Sequence, residues 1–184
     1  VSPTVEGAEN FILPIPHDEV VPGKKSLLDK IPGSYENKFA GLRALLSYMY
    51  THPGKKLLFM GSEYGPFREW DCKTGLEWFM LDFELHRKLK DFTRALNLFY
   101  LAHPALWEND GSPEGFEWIV SDDNRNNVLV YLRRCKEEEL VIAVNFSPQR
   151  WENYRFGLPK YGKYEEILNS DDLLFGGNGV KNTD

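Results

Sequence analysis

The first 108 residues repeat one order of elements twice, and this repeat constrains the fold more than any other feature. An apolar run at residues 11–15 ends at the polar cluster 17–19, and a second run at 57–60 ends at the cluster 61–63. Short continuous apolar runs next to turn residues are typical of buried strands, especially those of a parallel sheet. A helical pattern follows each polar cluster. The sequence therefore predicts two successive strand, loop and helix units.

Each predicted helix has one apolar face. Ser34 is placed to cap the first helix, which is expected to end at the "HPG" of residues 52–54. Its apolar residues recur every three or four positions, and they are Tyr35, Phe39, Leu42, Leu46 and Met49. The second helix is expected to end at His103 and Pro104, and its apolar residues are Leu85, Leu89, Phe92, Leu96 and Phe99. Residues 21–33, with two Pro-Gly pairs, are predicted to form a long loop.

Two such units cannot close a core by themselves, because a parallel strand pair needs neighbours at its edges and cover on both faces. The sequence therefore predicts that this half is the end of a larger barrel. In barrels of this kind the loops after the strands build the active site, which is where the two polar clusters fall. In the chain alone, we expect residues 1 to about 105 to be mobile or paired between molecules, and residues 110–170 to be ordered.

The helical period is lost near residues 106–111, and short β-branched and aromatic runs replace it. These runs are "FEWIV", "VLVYLRR", "LVIAVNF", "NYRFGL" and "YEEIL", with "SDDNRNN" at 121–127 as a hairpin connection. The predicted fold class is thus α/β plus all-β. Residues 1–108 are expected to hold the end of a larger barrel, and residues 109–184 an antiparallel β module.

Composition and charge exclude several classes of function. With 22 Lys and Arg against 28 Asp and Glu, the chain of 184 residues carries a formal charge of -6. It therefore has no electrostatic reason to bind nucleic acid or an anionic membrane. Cys72 and Cys135 lie far apart without metal-ligand neighbours, and there is no dinucleotide or phosphate-binding motif, so no metal or cofactor is predicted. A reduced, cytoplasmic location is the expectation, since no signal peptide precedes residue 11.

Taken one at a time, the polar residues favour ordinary structural roles. Asp18 beside His17 is more often a loop cap within a hydrogen-bond network than a catalytic pair. Glu63 is more often a plain loop carboxylate, and the "REW" of residues 68–70 is compatible with an ion pair beside a packed indole. Lys24 and Lys25 are expected to form a solvated turn.

The order in which these motifs follow one another along the chain is more specific than any single motif. "LPIPHDEVVPGKKSLLDKIPGSYENKFAGLRALLSYMYTHPGKKLLFMGSEYGPFREW", followed by "LEWFMLD", "NLFYLAHPAL" and "PEGFEWI", closely resembles the bacterial glycogen branching enzymes of the α-amylase superfamily. The resemblance extends from residue 11 to about residue 179. It implies that residues 1–108 hold strands seven and eight, the last two β/α units of the catalytic (β/α)₈ barrel, and that residues 109–184 form an incomplete antiparallel β-sandwich, the C-terminal domain. It also implies an α-glucan such as glycogen or amylose as substrate.

The resemblance also implies roles for individual residues. Asp18 matches the third catalytic carboxylate and His17 its neighbouring histidine, both of which bind hydroxyls of the transferred sugar. Glu19, Glu63, Arg68 and Trp70 are assigned to substrate binding. The nucleophile and the general acid of this family come from strands four and five, which lie before this stretch, so the chain alone is expected to be inactive and to need the remainder of the same enzyme.

The sequence departs from the usual family pattern at Pro16, Pro22 and the "SEYGPF" of residues 62–67. These changes leave the reaction class intact and bear on the shape of the acceptor site. Two alternatives stay open: a non-catalytic carbohydrate-binding or interaction module, and another superfamily member such as a trehalose-forming or debranching hydrolase.

Overall fold

A computed structural model describes residues 12–182. Two strands of the first half, β1 (Ile12–Ile15) and β2 (Lys55–Leu58), pair in parallel with Ile12 opposite Lys55 and Ile15 opposite Leu58. Phe11, the predicted start of the first strand, lies outside the described residues. The second strand begins two residues earlier than its apolar run predicted, because Lys55 and Lys56 also pair with β1.

Three helices accompany this pair. A single turn, α1 (Leu27–Lys30), interrupts the predicted loop, and Ser26 caps it by accepting from the Asp29 amide. The long helices are α2 (Tyr35–Thr51) and α3 (Glu84–Ala102). Ser34 caps α2 as predicted, with its hydroxyl accepting from the Asn37 amide at 3.3 Å. Extended backbone at His52 and His103 ends the two helices where the sequence predicted.

The apolar faces of α2 and α3 pack against each other and against one face of the parallel pair. Leu13, Ile15 and Leu58 point toward the helices, and the core includes Phe39, Leu42, Leu46, Leu89, Phe92 and Leu96. The apolar faces of both helices are therefore covered within this chain, because each helix covers much of the other. Burial of such side chains is worth about 1.5–3 kcal/mol each.

The other face of the parallel pair remains open. Ile12 is 64% exposed and Leu57 is 50% exposed, although both belong to apolar strands. Successive side chains of a strand point to opposite faces, so these residues are on the side away from the helices. The two strands are thus half-buried, whereas their apolar runs predicted burial on both faces.

The second half contains one antiparallel sheet in the order β3-β4-β5. Its strands are β3 (Phe116–Asp123), β4 (Val128–Arg134) and β5 (Glu139–Asn145). The predicted hairpin connection is confirmed but shorter, since β3 continues to Asp123. Three of the five predicted strands are therefore present in the structure.

The other two predicted strands, "NYRFGL" and "YEEIL", were wrong. Residues 151–168 form no strand, and Gly157, Pro159 and Gly162 interrupt the apolar pattern at short intervals. The antiparallel sheet of the described residues accordingly has three strands in one layer, rather than the two layers expected of a sandwich.

Residues 168–182 return instead to the helices. Leu168 and Phe175 pack against the core of the first half, and the Phe175 ring lies 5.0 Å from that of Phe92. The Arg43 guanidinium, buried on α2, donates from Nε to the Ser170 carbonyl at 2.7 Å. This segment, which we call the return segment, thus joins the end of the chain to α2 and α3.

Candidate functional site

The two predicted polar clusters emerge at the same edge of the parallel pair. Because β1 and β2 run in the same direction, the loops that follow them leave from the same end. A 3₁₀ turn at His17–Glu19 follows β1, and another at Ser62–Tyr64 follows β2. The structure therefore brings together loops that are more than forty residues apart in sequence.

Three aromatic rings join these loops. The His17 ring lies 5.5 Å from the Trp70 ring and 5.9 Å from the Phe59 ring, and Phe59 and Trp70 are 5.3 Å apart. The Trp70 amide also donates to the Val20 carbonyl at 2.8 Å. His17 is thus oriented by ring contacts, with the indole edge-on to it.

The two carboxylates beside His17 differ in their surroundings. Glu19 pairs with Lys30 at 3.1 Å, and its carbonyl also accepts from the Lys30 ammonium. Asp18 is exposed and has no hydrogen bond or ion pair from its side chain to any residue between 12 and 182. The Asp18 carboxylate is accordingly the one whose oxygens can accept from a ligand without breaking a contact of the protein.

Two side chains of α3 hold the loop after β2. The Thr93 hydroxyl donates to the Glu63 carbonyl at 3.2 Å, and His86 Nδ1 lies 2.8 Å from the Tyr64 carbonyl. Burial lowers the pKa of His86, so its ring is neutral with the proton on Nδ1. Glu63 is half-buried, and its backbone is fixed by α3.

A shallow cleft, open to solvent, adjoins these loops. Arg68 and Trp70 line it, whereas His17, Asp18, Glu19 and Glu63 do not. Tyr64 also lines the cleft, and its hydroxyl is buried without a hydrogen-bond partner among the described residues. The predicted site residues therefore fall into two groups: the turn after β1 with Glu63, and the cleft.

Sequence reasoning missed the role of Glu69. The "REW" run is compatible with an ion pair, but the Glu69 carboxylate accepts instead from the backbone amides of Gly23, at 3.0 Å, and Lys25, at 2.7 Å. Backbone donors carry no sequence signature beyond the turn residues around them. Only a tertiary contact across 44 residues reveals this pair.

In residues 12–182, no group of three or more His, Cys, Asp or Glu side chains is arranged to hold a metal ion. The helices of that same range include none with the length and hydropathy needed to span a bilayer. Cys72 and Cys135 are free thiols.

Known proteins match this chain over almost its whole length. A 1,4-alpha-glucan branching enzyme GlgB of Halothermothrix orenii is 51% identical over 178 residues, covering 96% of this chain and 28% of the relative. That of Desulfitobacterium hafniense is 51% identical over 177 residues, with 95% and 28% covered. The chain thus spans a little more than a quarter of the length of these curated relatives.

Two further comparisons bear on the fold. Residues 118–184 match the family described as the alpha amylase C-terminal all-beta domain. A solved cyclomaltodextrinase structure superposes with a TM-score of 0.53 at 18% identity, covering 74% of this chain and 21% of that protein. The chain therefore shares its fold with part of that cyclomaltodextrinase, and it is a relative of the bacterial 1,4-alpha-glucan branching enzymes, similar to just over a quarter of their length.

Proposed function

We propose that the chain is part of a 1,4-α-glucan branching enzyme of glycogen biosynthesis in the cytoplasm. Residues 1–108 would be the last two β/α units of its catalytic (β/α)₈ barrel, and residues 109–184 would belong to its C-terminal β domain. The identity to branching enzymes and the parallel pair with its helices support this assignment. Such an enzyme cleaves an α-1,4 linkage and transfers the chain to a 6-hydroxyl.

The observation that carries the proposal is the Asp18 carboxylate, which is exposed at the carboxyl edge of the strands and has no partner among the described side chains. In the proposed reaction a nucleophilic carboxylate from elsewhere in the enzyme forms a glycosyl-enzyme, and positive charge grows on the sugar ring. Asp18 and His17 bind hydroxyls of that sugar. Hydrogen bonds that these hydroxyls donate to the carboxylate and the imidazole strengthen as the charge develops, which stabilises the transition state.

Glu19, Glu63, Arg68 and Trp70 are proposed to contact the glucan around that sugar. Arg68 and Trp70 line the cleft beside the turn after β1, where an indole and a guanidinium suit the C–H faces and hydroxyls of a sugar. Glu63 extends from the loop fixed by Thr93. Glu19 has a less direct role, because Lys30 already neutralises its charge.

The remainder of the enzyme is the proposed partner of the open strand face. Ile12 and Leu57 are exposed on that face, and a two-stranded sheet has an unpaired edge on each side. Further barrel strands would pair with these edges and cover both residues. They would also supply the nucleophile and the general acid.

The parallel pair with its packed helices disfavours the first alternative, a non-catalytic module, because that alternative predicts a self-contained sheet and no barrel-like half. The second alternative, a hydrolase of the same superfamily, differs in its product. It would release reducing ends without forming α-1,6 branches.

The test is Asp18→Asn in the complete enzyme. The substitution keeps the size of the side chain but removes its charge, and we expect branching turnover to fall by about 10²–10³. His17→Ala should cost less. Iodine staining of amylose and a reducing-end assay separate branching from hydrolysis, and the 184-residue chain alone should show neither. Turnover near the parent level for Asp18→Asn would contradict the assignment of Asp18.

A further inference from the structure

The turn at residues 22–25 has an unusual backbone. Gly23 has φ of +91° and Lys25 has φ of +67°, so a lysine occupies the left-handed region that favours glycine. No α-helix or strand contains Lys25, and its side chain is exposed. A residue held in this region persists where the surrounding structure favours it. The contact that favours this backbone conformation at Lys25 is made with the loop after β2.

Both left-handed residues direct their amides at one carboxylate. Gly23 N lies 3.0 Å from each carboxylate oxygen of Glu69, and Lys25 N lies 2.7 Å from Oε1. Backbone N–H groups that converge in a turn of this kind form a concave anion site. The anion here is a side chain of the same protein, and the bonds are charge-assisted, which makes them stronger than neutral ones.

We propose that Glu69 is a positioning residue, whose carboxylate occupies this two-amide anion site and so fastens the loop after β1 to the loop after β2. The next residue, Trp70, extends the same attachment, since its amide donates to the Val20 carbonyl and its ring contacts His17. The inference that this attachment positions residues that bind a sugar rests on the proposed function, whereas the attachment of one loop to the other does not depend on it.

The contact depends on backbone amides and not on lysine charge. No ion pair joins Glu69 to Lys24 or Lys25 among the described residues, and both lysine side chains are exposed. Lys25→Gly should therefore keep the attachment, because it retains the N–H and removes the side chain from a left-handed position. Lys25→Pro should break it, since proline has no N–H and cannot adopt a positive φ.

Limited proteolysis of the complete enzyme tests the attachment directly. Trypsin cuts after Lys24 and Lys25 when the turn opens, and cutting after the buried Arg43 of α2 reports global unfolding in the same digest. Glu69→Ala should speed cleavage at the turn about tenfold or more relative to cleavage at Arg43. Glu108→Ala, which removes an exposed carboxylate elsewhere, is the matched control and should change neither rate.

Chemical rescue separates an anion site from a merely structural glutamate. In Glu69→Ala, excess formate should occupy the vacated amides and slow cleavage at the turn, whereas chloride at equal ionic strength should not. Parent-like cleavage of Glu69→Ala would overturn the attachment. Faster cleavage without any response to formate would overturn the anion site.

The consequence for catalysis is measured in the complete enzyme. Glu69→Ala should lower kcat by about 10- to 100-fold, with a smaller change in KM, because His17 and Asp18 lose their placement. Formate should restore part of that loss. If Glu69→Ala speeds cleavage at the turn but leaves kcat unchanged, the attachment does not position the sugar site. Absence of branching in the parent enzyme would refute the proposed function and leave the proteolysis result standing.

Discussion

His52 is a buried histidine at the boundary between α2 and the antiparallel sheet. It is 7% exposed, with the rings of Tyr48, Phe116 and Tyr131 around it, and its Nε2 has no hydrogen-bond partner within residues 12–182. Burial lowers its pKa to about 4, and the nearby Lys56 and Arg133 charges act in the same direction. His52 is therefore neutral in the folded protein at ordinary pH.

We predict a pH dependence of stability that belongs to this residue. The unfolded chain protonates His52 near its ordinary pKa of 6.5, so its contribution to stability is complete above that pH and is lost as pH falls toward 4. The free energy of unfolding should fall on the order of 2–3 kcal/mol over that window. Urea denaturation at several pH values measures it.

His52→Phe is the comparison, because phenylalanine fills a similar volume without titrating. The parent should lose more stability than this variant between pH 6.5 and pH 4, and the difference isolates His52 from carboxylates that titrate there too. His86, whose pKa burial also lowers, stays in both proteins and cancels. Parallel pH profiles for parent and variant would contradict the prediction.

At the scale of elements, the return segment holds the end of the described chain to the helices. Asp171 organises it by accepting from the amides of Asn178, at 3.0 Å, and Val180, at 3.2 Å. The segment has no regular hydrogen-bond ladder, so its attachment to α2 and α3 depends on a few side chains. Phe175 against Phe92 is the main apolar contact.

Phe175→Ala should therefore destabilise the protein by about 1–3 kcal/mol, less than a fully buried phenylalanine because Phe175 is only half-buried. Leu174→Ala is the matched control in the same turn, since Leu174 is 67% exposed and its loss should cost under about 0.5 kcal/mol. Thermal and urea unfolding measure both. Equal effects of the two substitutions would show that Phe175 does not attach the segment.

At the scale of the whole molecule, Arg133 joins the two halves. Its side chain is fully buried, pairs with Asp110 at 2.6 Å, and donates to carbonyls of the first half and of the connection. These acceptors are Thr51 at 2.8 Å, Leu106 at 3.0 Å and Gly115 at 3.2 Å. The end of α2, the connection after α3 and strand β4 therefore meet at one guanidinium.

Arg133→Ala should cost about 3–5 kcal/mol, because it leaves three carbonyls buried without their donor and leaves Asp110 with only the more distant Lys55, at 3.5 Å. Arg125→Ala, at an exposed arginine in the β3–β4 turn, is the matched control and should change stability by less than about 0.5 kcal/mol. Denaturant unfolding measures the free energies, and a loss at Arg133 no greater than at Arg125 would contradict the role given to Arg133.

The open face of the parallel pair, where Ile12 and Leu57 are exposed, also concerns the molecule as a whole. Our expectation that residues 1 to about 105 self-associate or are mobile stays a prediction for the chain alone. We now expect the open strand face to be the surface responsible, since α2 and α3 cover one another. The division near residue 108 also stays a prediction. Arg133 nevertheless shows that the two halves share buried contacts.

Local pattern determined a large part of this structure. The spacing of apolar residues in α2 and α3, the Ser34 cap and the β-branched and aromatic runs of β3 to β5 reflect preferences that act over a few residues, so the sequence predicted them. The order of motifs likewise indicated the branching-enzyme resemblance that the comparisons bear out. The roles of His17 and Asp18 rest on that resemblance and stay a prediction.

The tertiary structure alone decided the contacts between distant segments. Glu69 binds backbone amides 44 and 46 residues away, and Phe175 reaches α3 from the part of the chain that the sequence assigned to the β domain. Backbone N–H groups are the same at every residue, so no side-chain pattern tells which carboxylate they receive. Likewise, "NYRFGL" and "YEEIL" have the residues of strands but pair with no neighbour, because strand formation requires a partner that local sequence does not supply.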